Sequence, residues 1–150
     1  MTRKRILILC TGNSARSQMA EGLMRQEGGE HFDVFSAGTK PSTVRSEAIA
    51  VMREVGVDIS SHRSKHVDEF AGQEFDIVVT VCDNAKESCP VFPARTLRLH
   101  WPFEDPASVE GPESVRLAAF RAARDQIQGR IKRFLQERNG GGAHLPISKE

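Results

Sequence analysis

Cys10 and Arg16 frame a short stretch of small residues that could bind an anion and attack it. The stretch is residues 10–17, with the sequence CTGNSARS, and it follows an aliphatic run at 6–9. Successive N–H groups of such a loop can converge on an anion, and the N-terminus of a following helix adds partial positive charge. Arg16 can bind two oxygens of a tetrahedral oxyanion, and the same field lowers the pKa of the Cys10 thiol below its free value of about 8.5. Ser17 is expected to donate a hydrogen bond to the resulting thiolate.

This pattern predicts a nucleophilic thiolate inside an oxyanion-binding loop. The expected oxyanion ligands are Thr11, Gly12, Asn13, Ser14, Ala15, Arg16 and Ser17. A simpler interpretation is that Cys10 is a buried residue at a strand end and that Arg16 points into solvent. A nucleotide-binding P-loop is the obvious competitor, but the Gly-Lys-Ser/Thr ending of that motif is missing.

Length and composition indicate one globular domain. The chain has 150 residues, 39% of them hydrophobic and 27% charged, with a formal net charge of +1. This balance argues against nucleic acid or a membrane surface as partner, because both require a concentrated basic field. No apolar run approaches the ~20 residues that span a bilayer, and no signal-peptide cleavage pattern follows the basic start. We therefore expect a cytoplasmic protein whose three cysteines are reduced and reactive rather than structural.

Strand and helix patterns alternate along the chain, which predicts a three-layer α/β sandwich built on a four-stranded parallel sheet. Strands are expected at 4–9, 32–36, 75–81 and 96–99. Helices are expected at 16–27, from Pro41-Ser42-Thr43 to Val55, at 83–88 and at 113–138. The polar stretch 58–71 could hold one short helical turn. Residues 1–150 are expected to form a single domain with residues 140–150 as a flexible tail.

The loop at 10–17, with Asp105-Pro106, resembles the active site of the low-molecular-weight protein tyrosine phosphatase family. Together with Cys82 and Cys89, it is similar to one branch of that fold, the thioredoxin-coupled arsenate reductases. The resemblance extends to about Arg138. It implies the fold of that family, reduction of arsenate to arsenite in arsenic detoxification, thioredoxin as reductant and weak phosphatase activity on the side. No organic cofactor or catalytic metal is needed.

Asp105 matches the general acid of the family, and the resemblance implies that role here. The spacing alone leaves open whether this residue only forms a turn before Pro106, and Glu104 is the alternative acid. Ala107 and Ser108 follow, and the chain contains no Tyr. Tyrosine phosphatases of this fold usually have aromatic residues just after the Asp-Pro pair. The resemblance therefore implies that the aromatic wall for a phosphotyrosine ring is lacking here, which favours a small inorganic anion as substrate.

Cys82 and Cys89 lie seven residues apart, around a stretch that is expected to be helical. Seven helical residues separate the two Cα atoms by roughly 10 Å, whereas a disulfide needs about 7 Å or less. A bond between these cysteines would therefore require the segment to unwind. The residues alone leave two unrelated cysteines as an alternative, and three cysteines without a histidine at metal spacing make a poor zinc site.

The resemblance implies a thiol–disulfide relay among the three cysteines. Cys10 attacks arsenate, Cys82 attacks the Cys10 sulfur as arsenite leaves, and Cys89 attacks Cys82, leaving a Cys82–Cys89 disulfide that thioredoxin reduces. With Arg16 and Asp105, these cysteines form the expected catalytic set.

Some members of this branch bind potassium behind the loop, and the matching ligands here would be Asn13, Glu21 and Ser36. The further acidic ligand of the family aligns with Lys65, whose ammonium would repel a cation. Our hypothesis is that Lys65 pairs with Glu21 and replaces the ion, so that no metal is bound. The alternative is that Lys65 is a solvated surface residue.

Three other functions remain open at this point. The protein could be a phosphatase that has kept extra cysteines, or a redox-sensing or anion-binding protein without catalysis. It could also be an arsenate reductase that uses glutathione and glutaredoxin instead of thioredoxin. We expect a monomer in each case.

Overall fold

The computed structural model describes residues 3–83 and 97–139, and this part of the chain forms a parallel sheet and three α-helices. The strands are β1 (Lys4–Cys10), β2 (Phe32–Gly38), β3 (Ile77–Thr80) and β4 (Leu97–His100). The helices are α1 (Arg16–Gly28), α2 (Ser46–Glu54) and α3 (Glu113–Asn139). Two short 3-10 helices, Val67–Phe70 and Pro106–Ser108, lie in the connections.

The strands follow the order β2-β1-β3-β4, and every neighbouring pair is parallel. β1 lies inside the sheet, and its aliphatic residues 6–9 are fully buried, as expected for a strand covered on both faces. Cys10 pairs with Gly38 of β2, and Leu9 pairs with Thr80 of β3. The carboxyl ends of these strands therefore meet at one edge of the sheet, and the predicted four-stranded parallel α/β fold is confirmed.

The two faces of the sheet are covered differently. Alternate residues of β1, Ile6 and Ile8, join one buried cluster with side chains of all three α-helices. The residues between them, Leu7 and Leu9, join a smaller cluster with Phe70 of the first 3-10 helix. Within the described residues, the three helices thus form one layer, and the 3-10 helix with its adjoining loops forms the layer opposite.

Helix α1 is buried on almost all sides, which matters for the site described below. Its predicted apolar face is fully buried and consists of Met19, Ala20, Leu23 and Met24. Gln18 and Glu21 are also buried, although they are polar. Such groups are stable in a protein interior only with hydrogen-bond partners, and both have them behind the loop at 10–17.

The second helix begins later than the sequence indicates. We expected Pro41-Ser42-Thr43 to open it, but α2 starts at Ser46. The reason is that the preceding segment bonds to the loop at 10–17 instead of to itself: the N–H groups of Lys40, Ser42 and Arg45 donate to loop carbonyls. The segment therefore becomes an extended wall beside that loop.

Other boundaries shift by a few residues. β1 and β2 continue to Cys10 and Gly38, β3 is shorter than predicted, and β4 runs one residue past Leu99 to His100. The predicted turn within 58–71 is the 3-10 helix Val67–Phe70. The helix expected at 83–88 falls, from residue 84 onward, outside the described residues, as do Cys89, Thr96 and the tail 140–150. No helix in the described ranges is long and apolar enough to cross a membrane.

Candidate active site

The loop at 10–17 lies where the central strand β1 ends and α1 begins. Cys10 is the last residue of β1 and Arg16 the first of α1, and they are 2% and 3% exposed. Thr11, Gly12 and Ser14 are partly exposed. The cysteine and the guanidinium are thus enclosed by protein, whereas the rim of the loop reaches the surface.

The carbonyl groups of the loop are bonded to the surrounding chain. Thr11 O accepts from Lys40 N at 2.9 Å, Gly12 O from Ser42 N at 3.2 Å and Ser14 O from Arg45 N at 3.0 Å. A trans peptide holds its C=O and N–H antiparallel. The N–H groups that follow these carbonyls therefore point away from the wall at 40–45. This is the orientation that an anion cradle made of backbone N–H groups needs.

The Asn13 side chain makes four hydrogen bonds that hold the loop. Asn13 is fully buried and has a positive φ of 48°, in the left-handed region. Its Nδ2 donates to Ser17 Oγ at 2.8 Å and to Ser36 Oγ at 3.0 Å. Its Oδ1 accepts from Lys65 N at 2.8 Å and from Gln18 Nε2 at 3.0 Å. The side chain thus braces the loop against α1, β2 and the segment that contains Lys65.

Ser17, which the sequence predicts as a donor to the Cys10 thiolate, lies fully buried in the first turn of α1. Its hydroxyl oxygen accepts the hydrogen bond from Asn13. The Ser17 hydrogen therefore remains directed away from Asn13, as a donor to the thiolate would need.

Arg16 and Asp105 are brought together by the loop that follows β4. Arg16 Nη2 lies 3.7 Å from Asp105 Oδ2, and Arg16 Nη1 donates to the carbonyl oxygen of Phe103 at 3.1 Å. Asp105 also caps the 3-10 helix Pro106–Ser108, because its Oδ1 accepts from Ala107 N at 2.9 Å. The Asp105 carboxylate is 37% exposed, and the alternative acid, Glu104, is exposed.

Two aromatic residues support this acid-bearing loop. Trp101 is 2% exposed and packs edge-on against Phe134 of α3, with ring centroids 5.5 Å apart. Phe103 is buried and supplies the carbonyl that binds Arg16. The two residues that follow Pro106, Ala107 and Ser108, have no aromatic ring to offer a substrate. Ala107 is partly buried and Ser108 is exposed.

The second cysteine lies at the same edge of the sheet as the first. Cys82 is fully buried and follows β3 by two residues. Val81 N donates to Leu9 O at 3.0 Å, which extends the pairing of β3 with β1 by one residue, to the neighbour of Cys82. Cys89 lies outside the described residues.

A buried carboxylate, Glu21, lies behind the loop and contacts three polar side chains. Ser36 Oγ donates to Glu21 Oε1, and Arg25 Nη2 lies 2.8 Å from Oε2. Lys65 Nζ lies 3.9 Å from Oε1, and the Lys65 side chain is only 14% exposed. Burial lowers the pKa of Lys65, while the nearby Glu21 carboxylate acts to raise it. Of the three residues expected as potassium ligands, Glu21 thus lies beside the ammonium group of Lys65, which also donates to Arg63 O at 3.1 Å.

Sequence reasoning missed several residues that hold the loop. Gln18 donates to Asn13 O, Asn13 Oδ1 and Arg63 O, and Ser64 Oγ donates to Asn13 O. Gly38 approaches so closely that a Cβ there would lie 2.4 Å from Thr11 O. A glycine at a strand end is a known sign of close backbone approach, so Gly38 could have been found. Nothing in the sequence distinguishes Gln18 or Ser64 from surface polar residues.

Within the described residues, no group of three His, Cys, Asp or Glu side chains could hold a metal ion. The described part of the site combines a buried thiol, a buried guanidinium, an aspartate side chain and a braced backbone loop. Such a set can bind a tetrahedral oxyanion, attack its central atom through sulfur and protonate the oxygen that leaves.

Comparisons with known proteins show the family to which the chain belongs. The family model for low molecular weight phosphotyrosine protein phosphatase matches residues 5–140. An arsenate reductase of Halalkalibacterium halodurans is 45% identical over 136 residues, which are 91% of this chain and 98% of that protein. A solved arsenate reductase in the phosphate binding state is 30% identical, with a TM-score of 0.71, and covers 89% of this chain and 98% of its own. Another, in the oxidised state, is 31% identical with a TM-score of 0.73 at the same coverage. The chain belongs to the low molecular weight phosphotyrosine protein phosphatase family and, within it, to the group of these arsenate reductases.

Proposed function

We propose that this protein reduces arsenate to arsenite through a thiol relay that starts at Cys10. The observation that carries the proposal is the loop itself: Cys10 and Arg16 are both buried, and the loop carbonyls are bonded outward. Arsenate is a tetrahedral oxyanion of the size that such a loop binds. Relatives over nearly the whole chain are arsenate reductases, and one related structure is in a phosphate binding state.

In the first step, the Cys10 thiolate attacks arsenic while the loop N–H groups and Arg16 bind the oxyanion. A sulfur–arsenic bond forms and an arsenic–oxygen bond breaks. Asp105 donates a proton to the departing oxygen, which leaves as water. Arg16 positions this acid, since its Nη2 lies 3.7 Å from Asp105 Oδ2.

In the second step, the Cys82 thiolate attacks the Cys10 sulfur. The sulfur–arsenic bond breaks with its electron pair moving to arsenic, so As(V) becomes As(III) and arsenite leaves. Cys89 then attacks Cys82, which frees Cys10 and forms the Cys82–Cys89 disulfide. Cys82 follows β3 at the same edge of the sheet as Cys10, which supports the first exchange, and the oxidised state of a related structure supports a redox cycle in the group.

The final disulfide needs two electrons from a dithiol reductant, and we propose thioredoxin. The relay ends in an internal disulfide between Cys82 and Cys89. A dithiol can reduce this disulfide directly, so the enzyme does not need to form a mixed disulfide with glutathione. Glutaredoxin with glutathione is the alternative reductant.

The decisive test is an assay of arsenate-dependent NADPH oxidation with thioredoxin and thioredoxin reductase. We expect steady turnover by the protein and none by the variants Cys10→Ser, Cys82→Ser and Cys89→Ser. Replacing the thioredoxin components by glutathione, glutaredoxin and glutathione reductase should give little turnover. A redox sensor would release no arsenite in steady state under either condition.

The same variants separate a reductase from a phosphatase with spare cysteines. Hydrolysis of an aryl phosphate needs only Cys10, the loop and the acid, so Cys82→Ser and Cys89→Ser should retain that weak activity. Cys10→Ser should abolish it. If arsenate turnover survives in both relay variants, the relay is wrong even though the family assignment stands.

We further propose that the Lys65 ammonium takes the place of a potassium ion beside Glu21. The support is the 3.9 Å contact between Lys65 Nζ and Glu21 Oε1 in a buried setting. Turnover and melting temperature should then be the same in potassium and sodium chloride at equal ionic strength. The variant Lys65→Asp should gain a dependence on potassium. A clear potassium-specific gain in the unmodified protein would refute the replacement.

A further inference from the structure

Glu47, in the first turn of α2, lies between two arginines at the border of the site. Its side chain is 11% exposed. Its Oε1 accepts from Arg45 Nε at 3.4 Å, and its Oε2 accepts from Arg116 Nε at 3.1 Å. Burial raises the pKa of Glu47, but hydrogen bonds from its own backbone N–H and from Arg116, with the charge of Arg45, outweigh this, so the pKa lies below its usual value. The carboxylate is therefore ionised and holds both guanidinium groups.

Each of these arginines also contacts one of the two loops of the site. The backbone N–H of Arg45 donates to Ser14 O at 3.0 Å, in the oxyanion loop. Arg116 Nη1 donates to Gly111 O at 2.7 Å. Gly111 has a positive φ of 131° and lies near the end of the loop that carries Asp105, just before α3.

We propose that Glu47 is a positioning residue that fixes the Asp105 loop relative to the oxyanion loop. The bonded path from Ser14 through Arg45, Glu47 and Arg116 to Gly111 joins the two loops independently of the Arg16–Asp105 contact. This inference rests on the proposed function, because it takes Asp105 as the acid that serves the bound oxyanion. A shift of about 1 Å in such a group is enough to lower a rate substantially.

The simpler role for Glu47 is to clamp α2 to α3, and the chain contains a matched control for that role. Glu54 lies on the same helix and pairs with Arg121 and Arg124 of α3, each at 2.9 Å. Arg124 also donates to Val51 O of α2 and to Asp125 of α3. Glu54 thus joins α2 to α3 as Glu47 does, but it lies two helical turns further along α2 from the site.

The test compares Glu47→Gln with Glu54→Gln, each alone and combined with Asp105→Asn. The measurement is the single-turnover rate of arsenate reduction, with reduced protein in excess over arsenate. We expect Glu47→Gln to lower the rate about tenfold in the unmodified background and to have little effect when Asp105 is already replaced, since coupled residues are not additive. Glu54→Gln should leave the rate unchanged in both backgrounds. The melting temperature of each variant shows that it is folded.

The outcomes are distinct. If Glu47→Gln leaves the rate unchanged, or lowers it equally with and without Asp105, the positioning role is overturned and the proposed function is untouched. If the unmodified protein does not reduce arsenate at all, both proposals fail together. A selective loss that disappears with Asp105→Asn supports the role of Glu47.

Discussion

At the scale of single residues, Asn13 holds the oxyanion loop through both its side chain and its backbone. Its amide group makes four hydrogen bonds to side chains and backbone, all inside the protein. Its φ of 48° lies in a region that Asn tolerates better than most residues. The loop conformation therefore depends on both the hydrogen-bonding capacity and the backbone tolerance of this one side chain.

Replacing Asn13 by Ala and by Gly should separate these two contributions. Asn13→Ala removes the buried hydrogen bonds and leaves Lys65 N without its acceptor, so we expect a loss of about 2–4 kcal/mol in the free energy of unfolding. Asn13→Gly should lose about 1 kcal/mol less, because Gly adopts a positive φ without strain. Urea unfolding of the three proteins measures both values. Equal losses in the two variants would show that backbone strain contributes nothing.

Gly38 is a second residue whose effect on the loop can be tested. A Cβ at this position would lie 2.4 Å from Thr11 O and 2.9 Å from Cys10 O, and both of these atoms are backbone. Gly38→Ala should therefore displace the loop, destabilise the protein by about 1–3 kcal/mol and weaken the protection of Cys10 by phosphate against alkylation. The control is Gly129→Ala on α3, where a Cβ meets nothing within 4 Å. That change should add about 0.5–1 kcal/mol of stability and leave protection unaltered.

At the scale of elements, the sequence predicted types better than boundaries. The aliphatic run in β1 and the spacing of Met19 and Leu23 on α1 are strong local patterns, and the structure confirms them. The predicted start of α2 was wrong because Pro41-Ser42-Thr43, judged by its local sequence alone, favours the beginning of a helix. The N–H groups of this segment instead donate to carbonyl groups of the oxyanion loop, which is distant in sequence. Contacts of this kind decide boundaries and cannot be read from a local pattern.

The residues of the site likewise fall into two groups: those that the sequence predicted and those that only the structure revealed. Cys10, Arg16 and Asp105 could be identified from residue type and motif, and the structure brings Arg16 and Asp105 together. The bonds of Gln18 and Ser64 to Asn13 could not, because they depend on where α1 meets the segment at 63–65. Motifs indicate the groups that react, whereas tertiary packing determines the groups that support them.

The clamp between α2 and α3 predicts a specific dependence of stability on pH. Hydrogen bonds from Arg121 and Arg124 lower the pKa of Glu54 from its usual 4.5 to about 2. As the pH falls, the unfolded chain therefore binds a proton at Glu54 before the folded chain does. The stabilisation that this ion pair gives to the folded protein is present above pH 4.5 and is lost as the pH falls towards 2. Glu54→Gln should be less stable than the unmodified protein at neutral pH, and the difference should vanish over that acidic range. Urea unfolding across the range measures it; a difference that does not change with pH would contradict the ion-pair origin.

At the scale of the whole molecule, the parallel topology explains how residues far apart in sequence form one site. Because all four strands run in the same direction, their carboxyl ends lie along one edge. β1 ends at Cys10, β2 ends at Gly38, Cys82 follows β3, and the loop with Asp105 follows β4. Each strand thus places one of these residues or loops at that edge. A strand that ran antiparallel to the others would have placed its residue at the other end of the sheet.

The same architecture predicts that the described part of the chain unfolds as one unit. Trp101 is the only tryptophan and the chain has no tyrosine, so its fluorescence reports the buried contact with Phe134 of α3. Far-ultraviolet circular dichroism reports the helices. In a single cooperative domain the two signals change together, and we expect their midpoints in urea to coincide.

Deletion of residues 141–150 tests the limits of this unit. The family model ends at residue 140 and α3 ends at Asn139, so the deleted segment follows both. Its removal should change the free energy of unfolding by less than about 0.5 kcal/mol and leave arsenate turnover unaltered. As a control, Phe134→Ala removes a buried side chain of α3 and should reduce stability by about 3–5 kcal/mol. If the deletion lowers stability by an amount similar to the control, or separates the fluorescence and dichroism midpoints, the segment belongs to the folded domain.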